Sequence, residues 1–334
     1  MTTEALLHDA PFFEDLSVGD VVADAPTLTL TDGHAALHQA IVGDRLRLAL
    51  DATLCAEVLG ADARLAHPGL VCDVAIGQST LVTKRVIGNL FYRGLILRRA
   101  PVIGDTLRTT TEIVALRQNS PREGRAATGL VVLRVRTVDQ AERAVLDFWR
   151  CAMLPLRDPE GRTGHADDLD AIPSTLDPAA LSAAVGGWRL DAFRAAVPGA
   201  HLAELHDGQM WTVEGGDVVS AAPELARLSL NVATAHHDEG PTGRRLVYGG
   251  HTIGIAASQL NRALPNLVTI VAWHGCDHVG PVLEGDTLHS TVELERTEPL
   301  AVGGGLVHLR VRVHAARADG PADVLDWRPV GVMA

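Results

Sequence analysis

Aromatic residues make up only 4% of the 334-residue chain, and no apolar run approaches the roughly 20 residues a bilayer span requires. A membrane-spanning helix is not expected. Cysteine is equally scarce: Cys55, Cys72, Cys151 and Cys276 lie far apart with no C-x-x-C pair, which argues against a disulfide framework or a zinc knuckle. They read as reduced, mostly buried thiols. Basic charge is also short, since 29 Lys and Arg against 41 Asp and Glu leave a net charge of -12. That balance excludes an extended phosphate-binding face for nucleic acid, although a few local arginines can serve a polyanionic small molecule. The stretch MTTEALLHDAPFFEDL has acidic residues and no basic segment before an apolar one, so no secretory signal is expected and a cytoplasmic location follows.

What the chain does have is apolar mass and repetition. At 47% hydrophobic residues, chiefly Ala, Val and Leu, it can bury a core larger than one ordinary domain needs. Gly104-Asp105-Thr106-Leu107 recurs as Gly285-Asp286-Thr287-Leu288, displaced by 181 residues. GLVVLRVRTV from Gly129 matches GLVHLRVRVH from Gly305, and VLDFWRCAML from Val145 matches VLDWRPVGVM from Val324, at offsets of 176 and 179. Three ordered matches at nearly constant displacement identify a tandem duplication. The division expected is an N-terminal half over 1–156, a Pro-, Asp- and Gly-rich surface linker over 157–180, and a C-terminal half over 181–334.

Each half carries the same order of signals. A short strand and a polar helix precede a second helix introduced by glycine, GLVCDVAIGQSTLV in one half and GGHTIGIAASQLNRAL in the other. Val-, Leu-, Arg- and Thr-rich strands follow, the last of them alternating in period 2. Helices built from Ala, Gly and Ser have little bulk, so a sheet can wrap closely around them. The expected fold class is α+β, an antiparallel sheet curled around one central helix in each half.

These residues resemble the MaoC-like dehydratases, and within them the two-hotdog enzymes of the mesaconyl-CoA hydratase kind. The resemblance rests on FFEDLSVGD, GNLFYRGLILRRAPVIGDTL and VALRQN in the first half, and on NVATAHHD, GRRLVYGGHTIG and GPVLEGDTL in the second. It implies hotdog halves side by side in one continuous sheet, an acyl-CoA thioester substrate, no metal and no cofactor. It also implies a catalytic pair of Asp or Asn, four residues, then His. Here the pattern falls on Asn231 and His236, whereas AIVGDRLRLAL in the first half has Leu48 or Ala49 at the histidine position. Asp44 alone does not restore a dyad, so the first half is read as inactive.

Hydration of an enoyl thioester needs an activated water, a proton for the α-carbon and stabilisation of the thioester oxygen. His236 is the natural acid/base and Asn231 can hold the water through its amide. Tyr248-Gly249-Gly250-His251 is expected to open the central helix, with Gly250 and His251 as backbone donors to the carbonyl and the two glycines allowing close approach. His274, Asp277 and His278 suggest a metal cluster in isolation, but without recognised ligand spacing they read as a strand end bordering the pocket. Arg98-Arg99 and Arg244-Arg245 are solvated faces or contacts for CoA phosphates. The resemblance further implies a short branched dicarboxylic thioester such as mesaconyl-CoA; strand alternation puts Arg93 and Arg99 on one face and Arg98 on the other, and Arg93 or Arg99 is expected as the carboxylate partner on the wall of the first half.

Two other functions share these features. A hotdog thioesterase would use the same pocket, but no Asp or Glu lies in VYGGHTIGIAASQL. A non-catalytic acyl-CoA binder would tolerate loss of the dyad in both halves, whereas the second half keeps its pair. A homodimer is compatible with either reading.

Overall fold

The computed structural model describes residues 10–60, 64–239 and 243–334. Twelve strands among them belong to one antiparallel sheet. They are β1 (Val21–Val22), β2 (Leu28–Thr29), β3 (Gly88–Leu97), β4 (Thr106–Gln118), β5 (Thr128–Val138), β6 (Ala144–Pro155), β7 (Met210–Thr212), β8 (Asp217–Val218), β9 (Leu267–His278), β10 (Thr287–Pro299), β11 (Gly305–Ala316) and β12 (Ala322–Met333). Their order across the sheet is β1-β4-β5-β6-β3-β9-β12-β11-β10-β7, with β2 on β4 and β8 on β10. The halves therefore repeat one topology and meet at the β3–β9 seam, where Tyr92 pairs with Cys276 and Ile96 with Ala272.

Four helices position the site: α1 (Asp32–Val42), α2 (Pro68–Gln78), α3 (Ala222–Leu228) and α4 (Gly249–Ala263). The two central ones, α2 and α4, are almost wholly buried, because their small side chains let the curled sheet close on them. One apolar core runs through both halves, from Phe13 and Leu116 to Leu309 and Trp327. The inward face is set by alternation, as in β4, where every second residue from Leu107 to Ala115 is buried.

The duplicated motifs have a shared physical role. Gly104 and Gly285 both sit at positive φ, +105° and +91°, where a side chain is disfavoured. The aspartate after each one closes the same turn: Asp105 Oδ2 accepts the Val102 N–H and Asp286 Oδ2 the Leu283 N–H, both at 3.0 Å. The leucine carbonyl ending each motif accepts a side-chain amide from the central helix, Gln78 at 3.1 Å and Gln259 at 2.9 Å. The Arg and Asp of the later repeats form paired cross-strand bridges, Arg134–Asp147 and Arg310–Asp326, each with two hydrogen bonds.

The stretch 157–180 is less of a free linker than its composition suggests. Leu169 and Leu176 are buried, and Asp167 Oδ2 accepts the Leu116 N–H at 2.8 Å. Beyond it, the helices Pro178–Ala184 and Leu190–Ala196 put Leu181, Val185 and Phe193 into a second apolar cluster with Leu48, Ile96 and Val271. The α+β double-hotdog arrangement expected from the sequence is the one observed.

Candidate active site

The loop carrying the expected dyad is held by the other half of the molecule. After α3, Leu230 adopts a left-handed φ of +62°, a conformation that costs a residue with a Cβ about 1–3 kcal/mol. The chain then docks on the turn that follows α2: Val232 N–H donates to Thr80 Oγ1 at 3.0 Å and Thr234 N–H to the Lys84 carbonyl at 3.0 Å. Asn231 Oδ1 accepts the Ala233 N–H at 2.9 Å, so the amide NH2 is the end left for the cavity. His237 donates to the Asn231 carbonyl at 2.6 Å and is thereby committed to the loop.

His236 closes the short helical turn Thr234–His236 and is buried. Its Nδ1 lies 3.0 Å from the Leu246 carbonyl, which can only accept. Nδ1 therefore carries the hydrogen and Nε2 keeps its lone pair. Burial pushes the imidazole down to about 4, with His237 and Arg150 adding to the effect against the Leu246 hydrogen bond. The ring is neutral at ordinary pH and able to take a proton. It also lies against Tyr248, with ring centroids 5.6 Å apart.

Tyr248 caps α4 and Gly249 and Gly250 begin it, so their N–H groups precede the first hydrogen bond of the helix. The glycines are required by packing. A Cβ on Gly249 would stand 2.7 Å from the His278 ring, and one on Gly250 would stand 1.9 Å from Asp73 Oδ1 and 2.5 Å from the Tyr248 ring. Gly250 therefore serves contact with α2 and does not open a path for a thioester; Gly249 is the one that lines the cavity. His251 also departs from expectation. Its N–H donates to the Tyr248 carbonyl at 2.9 Å, and its fully buried ring lies near His38 of the first half.

Asn231, His236, Tyr248 and Gly249 border a cavity of about 290 Å³ between the halves, with Thr80, Thr83, Tyr92 and Arg150 of the first half across from them. A larger groove of about 630 Å³, lined by Asp44 beside Arg45, Arg47 and Glu57, contains neither Asn231 nor His236. The arginines expected to face the substrate do not reach the cavity. Arg93 donates to the Leu169 carbonyl at 3.2 Å and stacks on Phe91, while Arg99 is held by Asp105 at 3.1 Å and Asp139 at 2.7 Å. Strict alternation fails here because Gly94 takes a φ of +60° and the β3–β6 register slips between Arg93 and Ile96. Sequence reasoning missed Arg150, Tyr92 and Thr83. His278 lies at the cavity border as expected, its Nε2 buried without a hydrogen bond and its imidazole pushed down to about 4 by burial. Among the described residues no group of His, Cys, Asp or Glu is gathered to hold a metal.

The first half preserves the outline of the same site. Asp44 Oδ1 accepts the Leu46 N–H at 2.9 Å, the turn that Asn231 makes with Ala233. Leu48, fully buried in the second apolar cluster, and Ala49, packed against it, follow where a histidine is missing. His67 caps α2 where Tyr248 caps α4, and its Nε2 lies 2.9 Å from Asp44. Trp273 and Trp327, edge to face at 5.6 Å, border what remains of the space, about 20 Å³.

No family model matches the chain. It is 30% identical to the beta-methylmalyl-CoA dehydratase of Chloroflexus aurantiacus, over 95% of this chain and 91% of that protein. It is also 30% identical to the mesaconyl-CoA hydratase of Cereibacter sphaeroides, over 90% of this chain and 88% of that one. Among solved structures, a Mycobacterium tuberculosis protein with a double hotdog fold superposes with a TM-score of 0.88 at 50% identity, covering 97% of this chain and 99% of that one. With this coverage on both sides, the chain belongs to the MaoC-like double-hotdog hydratase and dehydratase family.

Proposed function

We propose that the protein adds water reversibly across the double bond of a short enoyl-CoA thioester and removes it from the matching 3-hydroxyacyl-CoA. It is a hydro-lyase acting on CoA thioesters. The observation that carries the mechanism is His236, with Nδ1 turned to the Leu246 carbonyl and Nε2 left as the base, beside an Asn231 whose amide NH2 faces the same cavity. A water accepting from Asn231 and donating to His236 attacks the β-carbon, and its proton passes to Nε2. Electron density moves onto the thioester oxygen, which the Gly249 N–H at the start of α4 stabilises. The imidazolium then returns its proton to the α-carbon, which completes the balance with no other reactant. A cavity of about 290 Å³ suits a short acyl group and its thioester.

On this reading residues 1–156 form the half without a dyad and 181–334 the working half, joined through 157–180. The four free cysteines, all buried, support a reducing compartment such as the cytoplasm. The test is a panel of enoyl-CoA esters followed by loss of double-bond absorbance, beside a free-thiol assay. Thiol release without hydration would overturn the reading in favour of a thioesterase, and neither signal would leave a binder.

A further inference from the structure

Among the described residues, Arg150 is the one arginine that is buried. Arg99, Arg134 and Arg310 each hold one or two aspartates, and Arg93 is spent on a carbonyl and a ring. Arg150 is only 3% exposed, points from β6 into the cavity opposite Tyr92, and has no carboxylate within ion-pair distance among the described residues. One nitrogen, Nη2, donates to Thr83 Oγ1 at 2.6 Å and to the Ser79 carbonyl at 3.4 Å. Nε is buried without a hydrogen bond, and Nη1 makes none among the described residues.

The surrounding groups do not supply the missing negative charge. Burial raises the phenols of Tyr92 and Tyr248 above their ordinary value, so both stay protonated. A guanidinium taken out of water without a counter-ion is unfavourable, and a fold retains one where a ligand completes it. The depth of Arg150 sets which part of a thioester it meets. A CoA phosphate belongs outside a cavity of about 290 Å³, whereas the acyl end belongs inside.

We propose that Arg150 is the specificity-determining residue of this enzyme, pairing with a second carboxylate carried on or next to the β-carbon of the acyl group. The inference rests on the hydratase reading above and deepens it. Its position follows from the base, since Arg150 and His236 line the same cavity of about 290 Å³, which keeps the carboxylate it holds near the carbon that receives water. Thr83 is its positioning residue, holding Nη2 and leaving Nε and Nη1 as the donors for the carboxylate. The half that has no dyad thus chooses the acyl group.

The experiment measures kcat/KM for mesaconyl-CoA and for crotonyl-CoA in wild type, Arg150→Met and Arg150→Lys. In wild type the dicarboxylic ester is expected to be preferred. Arg150→Met should lower the mesaconyl-to-crotonyl ratio on the order of 100-fold, as for truncating one partner of a buried charged pair, and Arg150→Lys should restore part of it. An unchanged ratio, or wild-type preference for crotonyl-CoA, overturns the proposal. Calorimetry with the unreactive methylsuccinyl-CoA and butyryl-CoA repeats the comparison without turnover. Tighter binding of methylsuccinyl-CoA that is lost in Arg150→Met supports the proposal even if no ester is hydrated, an outcome that would sink the hydratase reading alone. Equal affinities in wild type sink the Arg150 assignment. Should the Met variant fail to fold, the Lys variant and Thr83→Val carry the same ratio.

Discussion

The two halves hold the same backbone site in two states, one open and one filled. Asn231 and Asp44 make the same two-residue turn, and Tyr248 and His67 cap equivalent helices. Yet Asn231 and Tyr248 border a space of about 290 Å³, whereas His67 borders one of about 20 Å³, room for hardly more than one water, and Asp44 lies instead on the groove of about 630 Å³. The difference lies in what each half presents to the other. Across the candidate site stand Tyr92 and Arg150, paired in register on β3 and β6; the positions that correspond to them in the repeat hold Trp273 and Pro329, paired in register on β9 and β12. The two halves therefore differ on both sides of the site, in the imidazole and in the opposite wall.

The comparison can be broken first at the filled site. Trp327→Ala removes a fully buried indole and should cost about 3–5 kcal/mol, read from denaturant unfolding. It should create no second site, so calorimetry must still give one equivalent of thioester per chain. Two equivalents would mean that space alone separates the halves.

The histidines offer a sharper contrast. His236→Ala should lower turnover by at least ~100-fold, as expected for loss of a general acid/base, with unfolding little changed. His67→Ala should do the reverse: it leaves the buried Asp44 without its imidazole, for about 3 kcal/mol of stability, while turnover stays within about twofold. A silent His236→Ala, or a His67→Ala that abolishes hydration, would exchange the roles of the two halves. Asn231→Asp should retain more activity than Asn231→Ala, since it restores a carboxylate found in the family pattern.

Acid acts on the folded state through the same buried imidazoles. His236, His251 and His278 are each held down to about 4 from 6.5, chiefly by burial. Between those values the unfolded chain binds protons that the folded one refuses, so stability should fall as pH drops from 6.5 toward 4 and stay level above 6.5 as far as these groups are concerned. The activity profile of kcat/KM should hold across neutral pH and decline only below about 5, as His236 becomes charged. A midpoint near 6.5 would show an exposed base. The smallest effect belongs to the repeated bridges: Arg134→Met and Arg310→Met, on partly exposed pairs, should each cost about 0.2–1 kcal/mol and leave hydration alone.

Much of the fold was legible because the duplication is written in residues that do local work. The motif from Gly104 to Leu107 needs a left-handed glycine, an aspartate that closes its turn and a carbonyl for the central helix, and all three needs recur from Gly285 to Leu288. The dyad candidates were legible through spacing, and the missing histidine of the first half through Leu48 or Ala49 in its place. The glycines of α4 were visible but their purpose was not, because Asp73, which Gly250 accommodates, lies far away in sequence on the other half. The arginines failed for a related reason. Strict alternation puts Arg93 and Arg99 on one face, and the irregularity at Gly94 undoes it, whereas Arg150 sits in a run that reads as strand. A charged residue between Phe148 and Ala152, both buried on one strand face, was the signal available.

The β3–β9 seam has a consequence for how such a protein can change. In a symmetric pair of identical subunits, every substitution is made twice, once beside each active site, so a residue that improves one wall of a pocket must also be tolerated everywhere its copy falls. Here the seam joins unlike partners within one polypeptide. Tyr92 and Arg150 could be selected without appearing opposite Asp44, and Trp273 and Pro329 without appearing opposite Asn231. Fusion gives each surface its own gene segment, and inheritance can then tune the catalyst and the selector separately.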